Sequence, residues 1–120
     1  MTLAEDALNV LADALPALTG GQVEYRRGDA SLLIDAAFGR SDFAAQLGDT
    51  VVVEHTDRDF IFKAESLQFP GADGPTAPLR GDLLISGVEV FEVLAPPGVQ
   101  VYRACDPYGI IIRVHTKKKE

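Results

Sequence analysis

From Gly21 onward, apolar and polar residues alternate with a period of two, in short segments separated by glycine and proline. The clearest segments are residues 31–40, 50–55, 83–85, 88–94 and 110–116. A period of two places alternate side chains on opposite faces of a β-strand. Short strands spaced by roughly 8–12 residues predict a mainly β fold, either a small antiparallel barrel or a sandwich.

The connections between these segments also carry information. Residues 27–29 and Ser86-Gly87 predict tight hairpin turns, while residues 42–46 fit either a strand or a helical turn. Residues 99–103 are predicted to form a strand before the last one. Residues 70–82 contain three Pro and three Gly, which predicts one long surface loop of the length at which loops are usually functional or mobile. Within this loop, residues 80–82 are interpreted as a tight turn that leads into the strand at Leu83.

Residues 2–18 have a helical pattern instead. Thr2 and Glu5 have the spacing of a capping box, and Gly20-Gly21 ends the helix. The apolar positions recur every three or four residues and form one stripe, at Ala4, Leu8, Leu11, Leu15 and Leu18. Such a stripe serves equally well to cover the β-rich part or to bind another subunit. We predict a single domain over residues 1–120, with a helix at 2–18 and a β-rich part at 22–116.

Charge is distributed unevenly along the chain. Residues 1–100 hold 16 acidic and 6 basic side chains, and residues 101–120 hold 2 acidic and 5 basic ones, which gives a net charge of −7. An acidic body repels phosphates, so the main surface is not expected to bind duplex nucleic acid. Lys117-Lys118-Lys119 is expected to be a solvated basic tail, with contact to nucleic acid or to an acidic protein as the alternative. No segment predicts a membrane span or a secretory signal.

Groups that could perform catalysis are few. A single cysteine excludes an internal disulfide and a cysteine-based zinc site. Cys105 and His115 could form a thiol–imidazole pair, but we interpret them as a buried or half-buried cysteine and an exposed strand histidine. His55, with Asp57 and Asp59, lacks the ligand spacing of zinc or calcium sites. We therefore expect a binding or assembly protein, with no enzyme activity, no metal and no cofactor.

Six stretches of sequence share an order and a spacing that go beyond composition. They are residues 23–28 (VEYRRG), 58–62 (RDFIF), 78–82 (PLRGD), 91–96 (FEVLAP), 106–108 (DPY) and 113–117 (RVHTK). Over about residues 20–117, this arrangement resembles the small head–tail joining, head-completion or neck proteins of tailed phages and prophages. The resemblance implies a small β-barrel or sandwich with a terminal helix, which forms a ring between the portal and the tail. It brings no catalytic residues and no cofactors.

The resemblance also implies partners and a location. The partners are other copies of the chain in a ring, portal or adaptor proteins, and tail proteins, with at most non-specific proximity to packaged DNA and no membrane. The location is the neck of a virion that is assembled in the host cytoplasm. A tail terminator or tail-tube protein is the alternative, and a small Cys-His hydrolase is a third hypothesis. The candidate subunit contacts are Leu8, Leu11, Leu15, Leu18, Asp73, Pro75, Leu79 and Arg80, and the candidate polar tail contacts are Lys117, Lys118 and Lys119.

Overall fold

The computed structural model describes residues 20–40, 42–47, 50–55 and 57–119, with side chains described for residues 21–40 and 57–119. The predicted helix at residues 2–18 lies outside these residues. The described chain forms nine strands and one short 3-10 helix. They are β1 (Gly20–Arg27), β2 (Ala30–Gly39), β3 (Asp42–Leu47), β4 (Thr50–His55), β5 (Arg58–Lys63), the 3-10 helix (Ala64–Ser66), β6 (Leu83–Ser86), β7 (Glu89–Val93), β8 (Tyr102–Ala104) and β9 (Ile111–Lys119).

Six of the strands close into an antiparallel barrel, in the order β1-β2-β5-β9-β7-β6, with β6 returning to β1. The closing contact between β5 and β9 is a register of six residue pairs, from Arg58 opposite Thr116 to Lys63 opposite Ile111. β8 pairs with β9 at residues 112–114, and β7 pairs with β9 at residues 116–119. This architecture confirms the predicted mainly β fold and identifies it as a barrel.

The period-two pattern decides which side chains fill the barrel. In β1, Val23 and Tyr25 are buried while Gln22 and Arg26 are exposed. Burying one large apolar side chain contributes roughly 1.5–3 kcal/mol, so the inward positions carry most of the stability. The buried cluster comprises Val23, Tyr25, Ile34, Ala36, Phe60, Phe62, Leu67, Leu84, Phe91, Val93, Ile112 and Val114. The Phe60 ring meets the Phe38 and Phe91 rings edge-on, each with a centroid separation of 5.4 Å, a favourable geometry for aromatic pairs.

A second, two-stranded sheet is inserted between β2 and β5. Its strands β3 and β4 pair over six positions, from Asp42 opposite His55 to Leu47 opposite Thr50. The ambiguous segment at residues 42–46 is therefore a strand. Pairing with β4, which is rich in β-branched residues, favours an extended conformation in residues 42–46.

The last two strands differ most from the prediction. The last strand was expected to stop at Thr116, but β9 continues to Lys119 because Lys117, Lys118 and Lys119 lie opposite residues 92, 91 and 90 of β7. The basic run is thus part of the barrel wall and not a free tail. The strand expected at residues 99–103 is reduced to β8 (Tyr102–Ala104), since the Val99 amide donates to the Pro96 carbonyl in a turn (3.0 Å). Among the described residues, no helix has the length and hydropathy needed to cross a membrane.

Candidate functional site

The long loop at residues 70–82 lies against the barrel end that contains Arg27. It follows Leu67, which is fully buried, and its backbone folds back onto its own start. The Thr76 amide donates to the Leu67 carbonyl (2.8 Å), and the Ala72 amide donates to the Phe69 carbonyl (3.0 Å). The loop is therefore ordered by contacts with the body of the protein.

One buried carboxylate, that of Asp82, joins this loop to β1. The side chain of Asp82 is 5% exposed and accepts hydrogen bonds from the Tyr25 hydroxyl, from Arg27 Nη2 (2.8 Å) and from the Leu79 amide (3.0 Å). Arg27 Nη2 also donates to the Ala77 carbonyl (2.7 Å). A charge buried at this depth is stable only when it is paired and hydrogen-bonded, so these contacts fix both the loop and the barrel end.

The electrostatics of the cluster indicate a structural role. Burial, reinforced by the hydrogen bond to Asp82, raises the pKa of the Tyr25 phenol well above its usual range. The hydrogen bond to Asp82 likewise raises the pKa of the Arg27 guanidinium. Phe69 covers the group, with its ring centroid 5.3 Å from Arg27 Cζ and 6.0 Å from the centroid of the Tyr25 ring. Tyr25 therefore stays a protonated donor to Asp82, and Arg27 stays a cation at neutral pH.

The segment at residues 80–82 acts as the expected tight turn. Gly81 has φ +96°, a region that side chains disfavour, so glycine is required there. The Asp82 amide donates to the Leu79 carbonyl (3.1 Å), and the Gly81 amide donates to the Val93 carbonyl (2.9 Å). The turn therefore leads directly into β6, beside the end of β7.

Two grooves adjoin the exposed pair Leu79 and Arg80 at the end of the loop, which we name the ridge: Leu79 lines only the first groove, and Arg80 lines both. The first, of about 480 Å³, lies between residues 77–80 and residues 98–102. The second, of about 520 Å³, is lined by Arg80, Leu94, Ala95, Pro96, Pro97 and Lys117; we name it the basic groove. Arg80 separates the two grooves, because its Nη1 donates to the Ala95 carbonyl (3.2 Å). Leu79 is 53% exposed, so its side chain is accessible to another protein.

The structure brings some of the predicted contact residues together and leaves others apart. Arg80 and Lys117 line the basic groove together, and Leu79 lines the first groove beside Arg80. Asp73 and Pro75 are exposed in the loop, and Lys118 forms an exposed ion pair with Glu89 (3.4 Å). Lys119 is exposed near the end of β9. The predicted contacts Leu8, Leu11, Leu15 and Leu18 lie outside the described residues.

A second polar cluster was missed by the sequence reasoning. Asp59 is fully buried and lies 3.1 Å from both Arg113 Nη1 and His115 Nδ1. Asp59 and His115 are 56 residues apart in sequence and meet because they are paired across β5 and β9. Only the strand pairing could have revealed this contact.

The expectations for Cys105 and His115 are reversed. His115 is buried, at 2% exposure, and Cys105 is exposed. The Cys105 amide donates to the Ile111 carbonyl (2.8 Å), which places Cys105 four residues along β9 from His115, or about 13 Å. A nucleophile and its base must lie within hydrogen-bond reach, so these two side chains do not form such a pair. Within the described part of the chain, no group of three His, Cys, Asp or Glu residues could hold a metal ion.

Comparison with known proteins adds one finding to this geometry. No curated protein matches the chain, but a protein-family model described as "Phage head-tail joining protein" matches residues 1–120. The match includes all six stretches on which the sequence resemblance rested, and it confirms that resemblance. Proteins of this family are structural components of the virion. Since the match extends over the whole chain, this protein belongs to the phage head–tail joining protein family.

Proposed function

We propose that the chain is one subunit of a homo-oligomeric ring in the neck of a tailed phage, where it joins the DNA-filled head to the tail. The observation that carries this proposal is the family match over residues 1–120. The ring assembles in the host cytoplasm and stays in the virion, in contact with portal or adaptor proteins on one side and tail proteins on the other.

The closed barrel supports this role. Closure pairs most strand edges within the subunit, which suppresses uncontrolled edge-to-edge association. Contacts between subunits then come from side chains and loops. The residues that we propose for these contacts are Leu79 and Arg80 at the two grooves, Asp73 and Pro75 in the exposed part of the loop, and the leucine stripe at residues 8, 11, 15 and 18. Lys117, Lys118 and Lys119 are secondary candidates, as polar contacts from the barrel wall.

The charge of the chain is compatible with passage of DNA. A net charge of −7 disfavours tight binding of phosphates, so packaged DNA can move past the ring without adhering to it. The proposal assigns no catalytic step, because Cys105 and His115 are separated along β9 and the carboxylate of Asp59 is bound to Arg113.

Electron microscopy of particles that lack this protein tests the proposal. With the gene deleted, we expect DNA-filled or leaking heads beside separate, complete tails, and joined particles when wild-type protein is supplied. Missing or overlong tails would contradict the neck position and indicate a tail terminator or tail-tube protein. Normal infectious particles would contradict both positions.

Complementation with two variants makes the test specific for the proposed surface. Leu79→Asp places a charge on the ridge, at the first groove, and is expected not to restore joined particles. Val88→Asp is the matched control, because Val88 is 98% exposed at the turn between β6 and β7, and it is expected to restore them. Equal behaviour of the two variants would contradict the assignment of the ridge as a contact surface.

A further inference from the structure

The basic groove has a chemical character that indicates what it binds. Its floor is apolar, formed by Leu94, Ala95, Pro96 and Pro97, and its rim carries the cations of Arg80 and Lys117. The charge of this groove is opposite to that of the whole protein, which has 18 acidic and 11 basic residues. Glu92, the cross-strand neighbour of Lys117, is the nearest carboxylate in the strand register. An apolar floor with a basic rim fits an amphipathic segment that is acidic.

The chain itself contains a segment of this kind. Residues 1–19 hold Glu5, Asp6 and Asp13 and no Lys, Arg or His, and they carry the predicted stripe of Leu8, Leu11, Leu15 and Leu18. On the predicted helix, Glu5 flanks the stripe, where a rim cation can reach it. Asp6 and Asp13 lie on the opposite face, and their charges attract the cations of the groove within the Debye length of about 8–10 Å. We propose that the basic groove of one subunit binds the leucine stripe of the N-terminal segment of the neighbouring subunit.

Geometry favours the neighbouring copy over the same chain. Lys117 lies level with Arg26 of β1 across the sheet, because Arg26 pairs with Leu83, Leu83 pairs with Glu92, and Glu92 pairs with Lys117. Gly20 begins β1 six residues before Arg26, which corresponds to about 20 Å along the strand. The helix predicted from the sequence would be about 21 Å long between Ala4 and Leu18. It would use nearly its whole length to reach its own groove, so most of the leucines could not enter it.

A segment that comes from a neighbour has no such restriction. Each copy then uses one surface to donate its segment and a different surface to receive one. Such head-to-tail contacts close into a ring when the rotation between copies is right. The inference therefore rests on the proposed ring and specifies one contact within it.

Disulfide crosslinking in assembled particles tests this contact. The background variant is Cys105→Ser, which removes the single native cysteine. Leu11→Cys is combined with Pro97→Cys, and the same groove cysteine is also combined with Leu8→Cys or Leu15→Cys, because a disulfide needs Cα atoms within about 7 Å. Leu11→Cys with Val88→Cys is the matched control. The particles are purified from the complemented deletion strain, oxidised and analysed on non-reducing gels.

We expect a ladder of covalently linked chains for at least one of the groove pairs and only monomers for the Val88 control. Adding Arg80→Glu and Lys117→Glu should lower the yield of crosslinks about fivefold, because the contact of Glu5 with a cation is lost and the two new carboxylates repel the acidic segment. A disulfide within single chains would show that each segment covers its own groove and would overturn the inference. Particles that contain the protein but give no crosslink with any pair would also overturn it, while leaving the proposed ring intact. Normal particles without the protein would refute the proposed function itself.

Discussion

Replacing Asp82 with alanine is expected to destabilise the whole barrel, although Asp82 lies in a loop. The change removes the acceptor of the Tyr25 hydroxyl, and Tyr25 is fully buried. A buried polar group without a partner costs about 1–3 kcal/mol. Arg27 also loses its ion-pair partner, but its side chain is 28% exposed, so water replaces part of that contact and the loss is about 1 kcal/mol. The total is about 3 kcal/mol, a large share of the 5–15 kcal/mol that is typical of a domain.

Urea unfolding, followed by far-ultraviolet circular dichroism, measures this loss. With a slope of about 2 kcal/mol per molar urea, Asp82→Ala should lower the unfolding midpoint by about 1.5 M. Asp73→Ala is the matched control, because Asp73 lies in the same loop with an exposed side chain, and it should change the free energy of unfolding by less than about 0.5 kcal/mol.

The result that would refute this reasoning is an Asp82→Ala protein as stable as the control. It would mean that the cost of burying the Asp82 carboxylate cancels its hydrogen bonds, as happens for some buried ion pairs. The loop would then be ordered by its backbone contacts alone.

Three further predictions concern other parts of the fold. Phe91→Ala, at a position 2% exposed, should lower the free energy of unfolding by about 3–5 kcal/mol in thermal or urea unfolding, whereas Val88→Ala should have almost no effect. Burial alone would raise the pKa of the Asp106 carboxyl, but hydrogen bonds from the backbone amides of Ile111, Ile110 and Tyr108 lower it overall. This carboxylate therefore stabilises the fold above its unfolded pKa of about 3.9, and the stabilisation is lost as the pH falls through the lower folded pKa. The free energy of unfolding measured between pH 7 and pH 3 should accordingly be less pH-dependent in Asp106→Asn than in the wild type. The exposed Cys105 thiol should react fully with a thiol reagent in the native protein, and a reaction that requires urea would contradict its exposure.

The local parts of this fold could be predicted from sequence, because alternation and turn residues act over only a few positions. β2 is an example, since Ile34 and Ala36 are buried while Asp35 between them is exposed, as the alternation predicts, and the turn at Ser86-Gly87 is another. The contacts that close the barrel could not be predicted in the same way. The pairing of β5 with β9 joins residues 58–63 to residues 111–116, and nothing in either segment specifies the other.

The same limit explains two wrong predictions, one about the backbone of the basic run and one about the burial of a side chain. Lys117-Lys118-Lys119 resembles a solvated tail because its charges dominate the local composition, but pairing with β7 makes it a strand. His115 was expected to be exposed for the same reason, although Asp59 on the neighbouring strand provides a buried partner. In the candidate site, Leu79 and Arg80 could be selected from sequence as contact residues, but the proximity of Arg80 to Lys117 depends on the barrel.

The position of β9 in the chain also has a consequence for how the protein folds during synthesis. β9 is the last of the described strands, and it contributes pairings to β5, β7 and β8. The earlier strands therefore leave the ribosome before their partner exists, with the edges of β5 and β7 unpaired. Folding that depends on such distant contacts is slow, and exposed edges in the meantime favour aggregation. The nascent chain can complete its barrel only after residues 111–119 have emerged, so we expect molecular chaperones to bind it most strongly in the interval just before that point.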